Sequence, residues 1–210
     1  LPHFKTITKD PIIKRLPSRR DRTDDIQTYD VDNLYPQRME EIARTSPITK
    51  SCIRVFSKFI EGKGFEDENI NRIKINRRGT TVRDLLRVGS KSWAHNQGFA
   101  THFNYNMLGE IAEITPLFFK YVRMGIADRL GRIKTLAFSP NWEQDPEKIR
   151  KEVQHFPVFD PSPDTVLSQI EKAEGIQNYP GQILYFTPVT PSISNPIVGS
   201  FNVNSSFSMS

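Results

Sequence analysis

The chain has 210 residues, 37% of them hydrophobic and 25% charged, and Lys plus Arg exceed Asp plus Glu by five. That is apolar material for one sizeable domain or two small ones. The single cysteine, Cys52, excludes an intrachain disulfide and a multi-cysteine zinc site, and no apolar run approaches the ~20 residues of a membrane-spanning helix.

The positive excess is mild and dispersed, whereas a dedicated nucleic-acid binder concentrates its charge on one face. Basic residues gather only at Lys14–Arg22 and Arg72–Arg78. Each cluster reads either as a solvated face or mobile arm, or as a polyanion contact. On the second reading Arg19, Arg20, Arg22, Arg77 and Arg78 are the nucleic-acid candidates. The opening Leu1-Pro2-His3-Phe4-Lys5 is no secretory signal. It also lacks an initiator Met, as expected of a processed chain or of a piece of a longer one.

Residues 1–34 read as an extended arm. Pro2, Pro11 and Pro17 interrupt any helix, and apolar residues are sparse apart from Ile12, Ile13 and Leu16. A helical segment follows from Tyr35 to Ile60. Pro36 suits a first helical turn, where its missing N–H costs nothing. Met39, Ile42 and Ala43 share a face. Ser46 caps a restart at Pro47. Cys52, Val55, Phe56, Phe59 and Ile60 then form a stripe at helical spacing, expected to enter the core with Cys52 as a small core residue. Gly62 and Gly64 stop the helix. They flank Lys63 but lack the strand, helix and spacing of a phosphate loop.

Residues 66–80 are charged and read as a loop or short ribbon carrying Ile70, Ile73 and Ile75. Thr81-Val82-Arg83-Asp84 has the form of a capping box with Asp in place of Glu. The helix it opens, Val82 to His95, is expected to bury Leu85, Leu86, Val88, Gly89, Trp93 and Ala94, with Trp93 in the core. Gly98 ends it.

Alternation of Phe99, Thr101, Phe103 and Tyr105 with Ala100, His102 and Asn104 predicts a half-buried strand. Asn106-Met107-Leu108-Gly109 turns the chain into a return strand at Glu110–Ile114. Phe118 to Val122 is a third strand candidate. After the turn Asp128–Arg132 comes a strand from Ile133 to Phe138. Residues 141–164 read as irregular, with a short helix around Pro146–Val153. Another short helix is expected from Pro163 to Ala173, ending at Gly175. Pro180-Gly181 introduces a strand at Gln182–Phe186. Residues 189–210 carry no charge and read as a linker or as a strand needing a partner. The class is α+β: two main helices packed with a small antiparallel sheet, flanked by an arm (1–34) and a tail (188–210) around a domain at 35–187.

No catalytic or cofactor pattern is legible. His3, His95, His102 and His155 show no ligand spacing, and there is no nucleophile elbow, kinase or dinucleotide signature. Glu40 and Glu41 are helix neighbours that do not face each other, so they form no dyad. We therefore expect no enzyme, no metal and no cofactor.

One resemblance is carried by the order of parts. Asn33-Leu34-Tyr35-Pro36 is followed by Thr45-Ser46-Pro47, Cys52-Ile53 and Ile60-Glu61-Gly62-Lys63-Gly64-Phe65. Next come Asp84-Leu85-Leu86, Asn96-Gln97-Gly98-Phe99-Ala100, Asn104-Tyr105-Asn106, Gly109-Glu110-Ile111 and Val122-Arg123. The series closes with Tyr179-Pro180-Gly181-Gln182-Ile183-Leu184-Tyr185-Phe186. Over roughly residues 33–187 this resembles the N-terminal wing region of tailed-bacteriophage portal proteins, best those of Bacteroidetes-type phages and prophages. Its motif positions here are Tyr35, Pro36, Gly62, Gly64, Phe65, Gly98, Phe99, Arg123, Pro180 and Gly181.

The resemblance implies a non-enzymatic ring subunit, typically in a dodecamer, at one capsid vertex of the virion, assembled in the bacterial host cytoplasm. Its implied partners are other copies of itself, the major capsid protein, the terminase, head-completion and tail adaptor proteins, and double-stranded DNA passing through the channel. A ring closes through a heterologous interface, an arm can reach across it, and a channel that passes DNA must not grip it, which suits dispersed charge. Family members are longer, with a stem helix, a clip and often a crown. No stem helix is legible here, as expected if the chain is a fragment. The alternative expectation is a phage-encoded DNA-binding accessory or enzyme domain using residues 14–22 and 72–78.

Overall fold

The computed structural model describes residues 26–29, 33–129, 132–143 and 152–187. The described residues form five α-helices and two three-stranded antiparallel sheets, an α+β arrangement. The helices are α1 (Tyr35–Thr45), α2 (Pro47–Glu61), α3 (Glu68–Arg72), α4 (Val82–Asn96) and α5 (Pro163–Lys172). The strands are β1 (Phe99–Tyr105), β2 (Ile111–Leu117), β3 (Val122–Met124), β4 (Thr135–Phe138), β5 (Gln154–Pro157) and β6 (Gln182–Phe186).

Helix starts follow local chemistry. Ser46 separates α1 from α2, and its Oγ accepts from the Thr49 N–H at 3.3 Å. The capping box of α4 is complete: Thr81 Oγ1 accepts from the Asp84 N–H and Asp84 Oδ2 accepts from the Thr81 N–H. Both satisfy donors that a helix start otherwise leaves orphaned. Gly62 closes α2 as expected. At the end of α4 the left-handed position is taken by Gln97, not Gly98. Gly98 is needed for space, since a Cβ there would lie 2.7 Å from the Phe186 carbonyl oxygen and against the Phe119 ring.

The first sheet has the order β2-β1-β6 and the second β3-β4-β5. Chain alternation sorts the side chains of the first sheet into two faces. Ala100, Ile183 and Tyr185 point to the second sheet, where they meet Phe119, Val122, Leu136 and Phe156. Phe103, Tyr105 and Leu184 point to the other side and pack with Val166 of α5 and with Tyr179. Phe99 and Phe186 stack on that same side beneath Trp93 of α4, with ring centroids 5.5 and 5.2 Å apart. The second sheet thus covers one face of the first, and α4 and α5 cover the other. Pro116 is tolerated in β2 because that strand lies at the sheet edge.

Several expectations are corrected. There are two sheets rather than one. Phe118 to Val122 is not a strand: Phe119–Tyr121 forms a 3₁₀ turn, and β3 starts only at Val122. The turn exposes Phe118 and drives Phe119 between Tyr185 and Tyr29, at centroid distances of 5.0 and 6.0 Å. The stretch read as irregular contains β5, which pairs with β4 through Leu136 and Phe156. Asp67 caps the unforeseen α3. The helix expected around Pro146–Val153 lies largely outside the described residues.

Candidate functional site

A larger correction concerns α2. Its apolar stripe was expected to be core, yet Val55, Phe56, Phe59 and Ile60 are exposed, Phe59 to 83% and Val55 to 65%. Ile48, one turn before the stripe, is 78% exposed, and Cys52 is exposed too. At 100° per residue, Ile48, Cys52, Val55 and Phe59 fall on one side, and the buried Ser57 falls opposite. The inward side of α2 carries the buried Ser57 and the half-buried Ile53. Glu61 reaches Arg87 of α4 at 3.1 Å, and Arg87 also meets Asp84 at 3.3 Å. Lys50, Arg54 and Lys58 are exposed as well, but at 100° per residue the row starts on the Ser57 side at Lys50 and only Lys58 comes near the stripe.

A second feature sits at the junction of α1, the 3₁₀ turn and β3. Arg123 is fully buried. Its guanidinium lies between the rings of Tyr29 and Trp142, at 4.9 and 4.8 Å from their centroids. Nε donates to Asn33 Oδ1 at 2.6 Å, and Nη2 to the Asn33 carbonyl at 2.7 Å and to Gln37 Oε1 at 3.4 Å. Nη1 donates to the carbonyls of Lys120 and Val122 at 2.8 and 2.9 Å. The planar fork is suited to such spread acceptors. Burial pushes the guanidinium down to about 10, so it is still charged at neutral pH. Tyr29 bonds Tyr185 through their hydroxyls, and burial pushes its hydroxyl well above the usual phenol range. Gln27 and Ile26 pair with Met124 and Gly125, so the segment before α1 lies along β3. Lys120 adds an ion pair to Glu40 of α1 at 2.8 Å.

The motif positions meet in space. Asn33 and Gln37, flanking Tyr35 and Pro36, contact Arg123 some 90 residues later in the chain. Pro36 is buried and Tyr35 half-exposed. Gly98, before Phe99, lies against Phe186. Gly181 sits at φ 81° with its Cα facing the Phe103 carbonyl, and His102 Nε2 lies 2.7 Å from the Pro180 carbonyl. Gly64, at φ 92°, leaves room for Asn71, which receives the Phe65 N–H and donates back to the Phe65 carbonyl. These positions shape turns and close approaches; they do not form one chemical centre.

Arg19, Arg20 and Arg22 lie outside the described residues. Arg77 and Arg78 are exposed on the turn Asn76–Gly79, where the Arg77 N–H donates to Glu113 Oε1 at 3.3 Å. Arg72 pairs with Glu68 at 3.8 Å. Among the described residues no group of three or more His, Cys, Asp or Glu could hold a metal ion, and no helix is long and apolar enough to cross a membrane. Sequence reasoning missed Tyr29 and Trp142. Their only signal was being aromatic in otherwise polar stretches.

No protein-family model matches the chain, and no curated protein matches it. Among solved structures, it is similar to a chain in the neck of an empty gene transfer agent (GTA) particle computed with C6 symmetry, at 12% identity and a TM-score of 0.40, over 66% of this chain and 42% of that one. It is also similar to a chain in the virion of a native GTA particle, at 10% identity and a TM-score of 0.40, over 65% of this chain and 42% of that one. The chain spans less than half the length of either.

Proposed function

We propose that the chain is a structural component of a phage-like virion and, more narrowly, the wing portion of a portal subunit that self-associates in a ring at the capsid vertex. In this reading it passes DNA without gripping it. It works with the capsid protein, the terminase and the head-completion and tail adaptor proteins, and it is not an enzyme. The observation that carries the reading is the outward apolar face of α2 on a domain whose sheet core is otherwise closed. Monomeric soluble proteins rarely leave such a face uncovered, whereas a subunit of an assembly must. The order of motifs from Asn33 to Phe186 supports the specific assignment, and the mild positive excess of the chain suits a surface that does not clamp DNA.

The test is the native mass of the particle by light scattering and native mass spectrometry, with negative-stain images. A ring of about twelve 24.2 kDa subunits is expected. A monomer that binds duplex DNA tightly, and loses that binding in Arg77→Ala/Arg78→Ala, would replace this reading with a DNA-binding domain.

A further inference from the structure

We infer that residues 26–29 are an autoinhibitory strap, filling from within the chain a slot that accepts an extended segment of a partner protein carrying a tyrosine. The strap lies along β3, the edge strand of the second sheet, and runs antiparallel to it. The bridge between Ile26 and Gly125 pins it there, as does the Gln27 N–H, which donates to the Met124 carbonyl at 2.7 Å. Beneath the strap, β3 has an edge that can take an added strand, a recurrent mode of peptide recognition.

Tyr29, two residues after Gln27, supplies the specificity. Its ring meets that of Phe119, with centroids 6.0 Å apart, and the Arg123 guanidinium lies 4.9 Å from its centroid. Its hydroxyl bonds that of Tyr185 on β6, in the first sheet. These contacts and the backbone pairs place the receiving side on residues 119–125 and on Tyr185, all remote in sequence from the strap.

The slot outlasts its occupant. With the strap lifted, Arg123 keeps its bonds to the Lys120 and Val122 carbonyls and its place over Trp142. Phe119 stays stacked on Tyr185, with centroids 5.0 Å apart. An open strand edge, one bare face of a guanidinium and the Tyr185 hydroxyl then remain, the groups that recognise a backbone, an aromatic ring and a phenol. The hinge is Asn33, whose φ of 60° is left-handed and whose Oδ1 accepts the Tyr29 N–H at 3.0 Å. Opening this reversal frees the strap while α1 stays fixed through Gln37 and Glu40, both bonded to Lys120.

The experiment follows the fluorescence anisotropy of a labelled peptide of residues 22–32 as the full chain is added. The parent, whose slot is filled, should bind weakly, in proportion to the fraction of chains with the strap open. Two variants free the slot: Tyr29→Ala removes the plug, and Gln27→Pro removes the N–H that bonds Met124. Each should bind the peptide about 100-fold more tightly than the parent, as for a slot open about 1% of the time. A peptide with Tyr29→Phe should bind about tenfold more weakly, because it leaves the Tyr185 hydroxyl without its partner, and one with Tyr29→Ala should not bind. A parent that binds as tightly as both variants would overturn the blocking role of the strap. Folded variants that take up no peptide, or that take up the Tyr29→Ala peptide equally well, would overturn the slot. Thermal unfolding showing that neither variant folds would make the segment part of the core and overturn the strap as well.

Discussion

Replacing Arg123 by Lys keeps the charge and removes the fork. In the native arrangement the acceptors lie on two sides of the guanidinium: Asn33 and Gln37 on one, the carbonyls of Lys120 and Val122 on the other. A lysine ammonium is a point donor and cannot reach both sides. Two to three charge-assisted hydrogen bonds are lost, each worth at least about 1.5 kcal/mol. The stacking on Tyr29 and Trp142 is weakened as well. The total, at least about 3–4 kcal/mol, is a large part of the 5–15 kcal/mol that typically holds a domain folded. With a urea slope of about 2 kcal/mol/M, the midpoint of unfolding should fall by about 1.5–2 M. The loss should be local first. Because Arg123 holds Asn33, and Asn33 Oδ1 also receives the Tyr29 N–H at 3.0 Å, amide exchange at Gln27 and Tyr29 should accelerate before the sheet core opens. The double variant Arg123→Lys/Asn33→Ala should cost less than the sum of the two single changes. A midpoint within about 0.3 M of the parent, on the same slope, would refute the reasoning and show that the fork does not hold the segment before α1.

Gly98→Ala should destabilise by about 1–3 kcal/mol through overpacking against the Phe186 carbonyl and the Phe119 ring, whereas Gly89→Ala, with open space around its Cβ, should stabilise α4; thermal midpoints compare the two. Thr81→Ala should cost about 1 kcal/mol by removing the acceptor for the Asp84 N–H, measured by urea unfolding, while Thr81→Ser should recover most of it. His95 titrates below its usual value, because burial and then Lys91 disfavour the cation more than Glu40 favours it. The unfolded chain therefore binds more protons near pH 6, and stability should decline as pH falls through about 6.5. Comparing urea midpoints at pH 7.5 and 5.5, His95→Gln should lose less than the parent; equal losses would show that another group governs this window.

What could be read from the sequence was set by short-range chemistry. Ser46-Pro47, the Thr81/Asp84 box, Gly62 and the alternation from Phe99 to Tyr105 each act within about one turn or one strand, so α1, α2, α4, β1 and the α+β class followed from them. β5 escaped because Gln154-His155-Phe156-Pro157 is too short to show alternation; its pairing with β4 decides it. Phe119 escaped for a related reason, since a strand and a 3₁₀ turn differ there only through the Tyr185 ring that waits to receive it. Arg123 was legible as a motif position but not as a buried hub, because Tyr29, Asn33, Gln37 and Trp142 reach it from remote parts of the chain.

The case of α2 marks the boundary. Its sequence determined a helix and determined that Ile48, Cys52, Val55 and Phe59 share one side. Helical periodicity defines a face but carries no direction in space. Only the packing of α4, with Arg87 meeting Glu61 on the polar side, turned the stripe outward. A face that looks like core in one dimension thus became a surface in three. The physical reason is that burial depends on what lies opposite a side chain, and in this chain nothing described lies opposite that one.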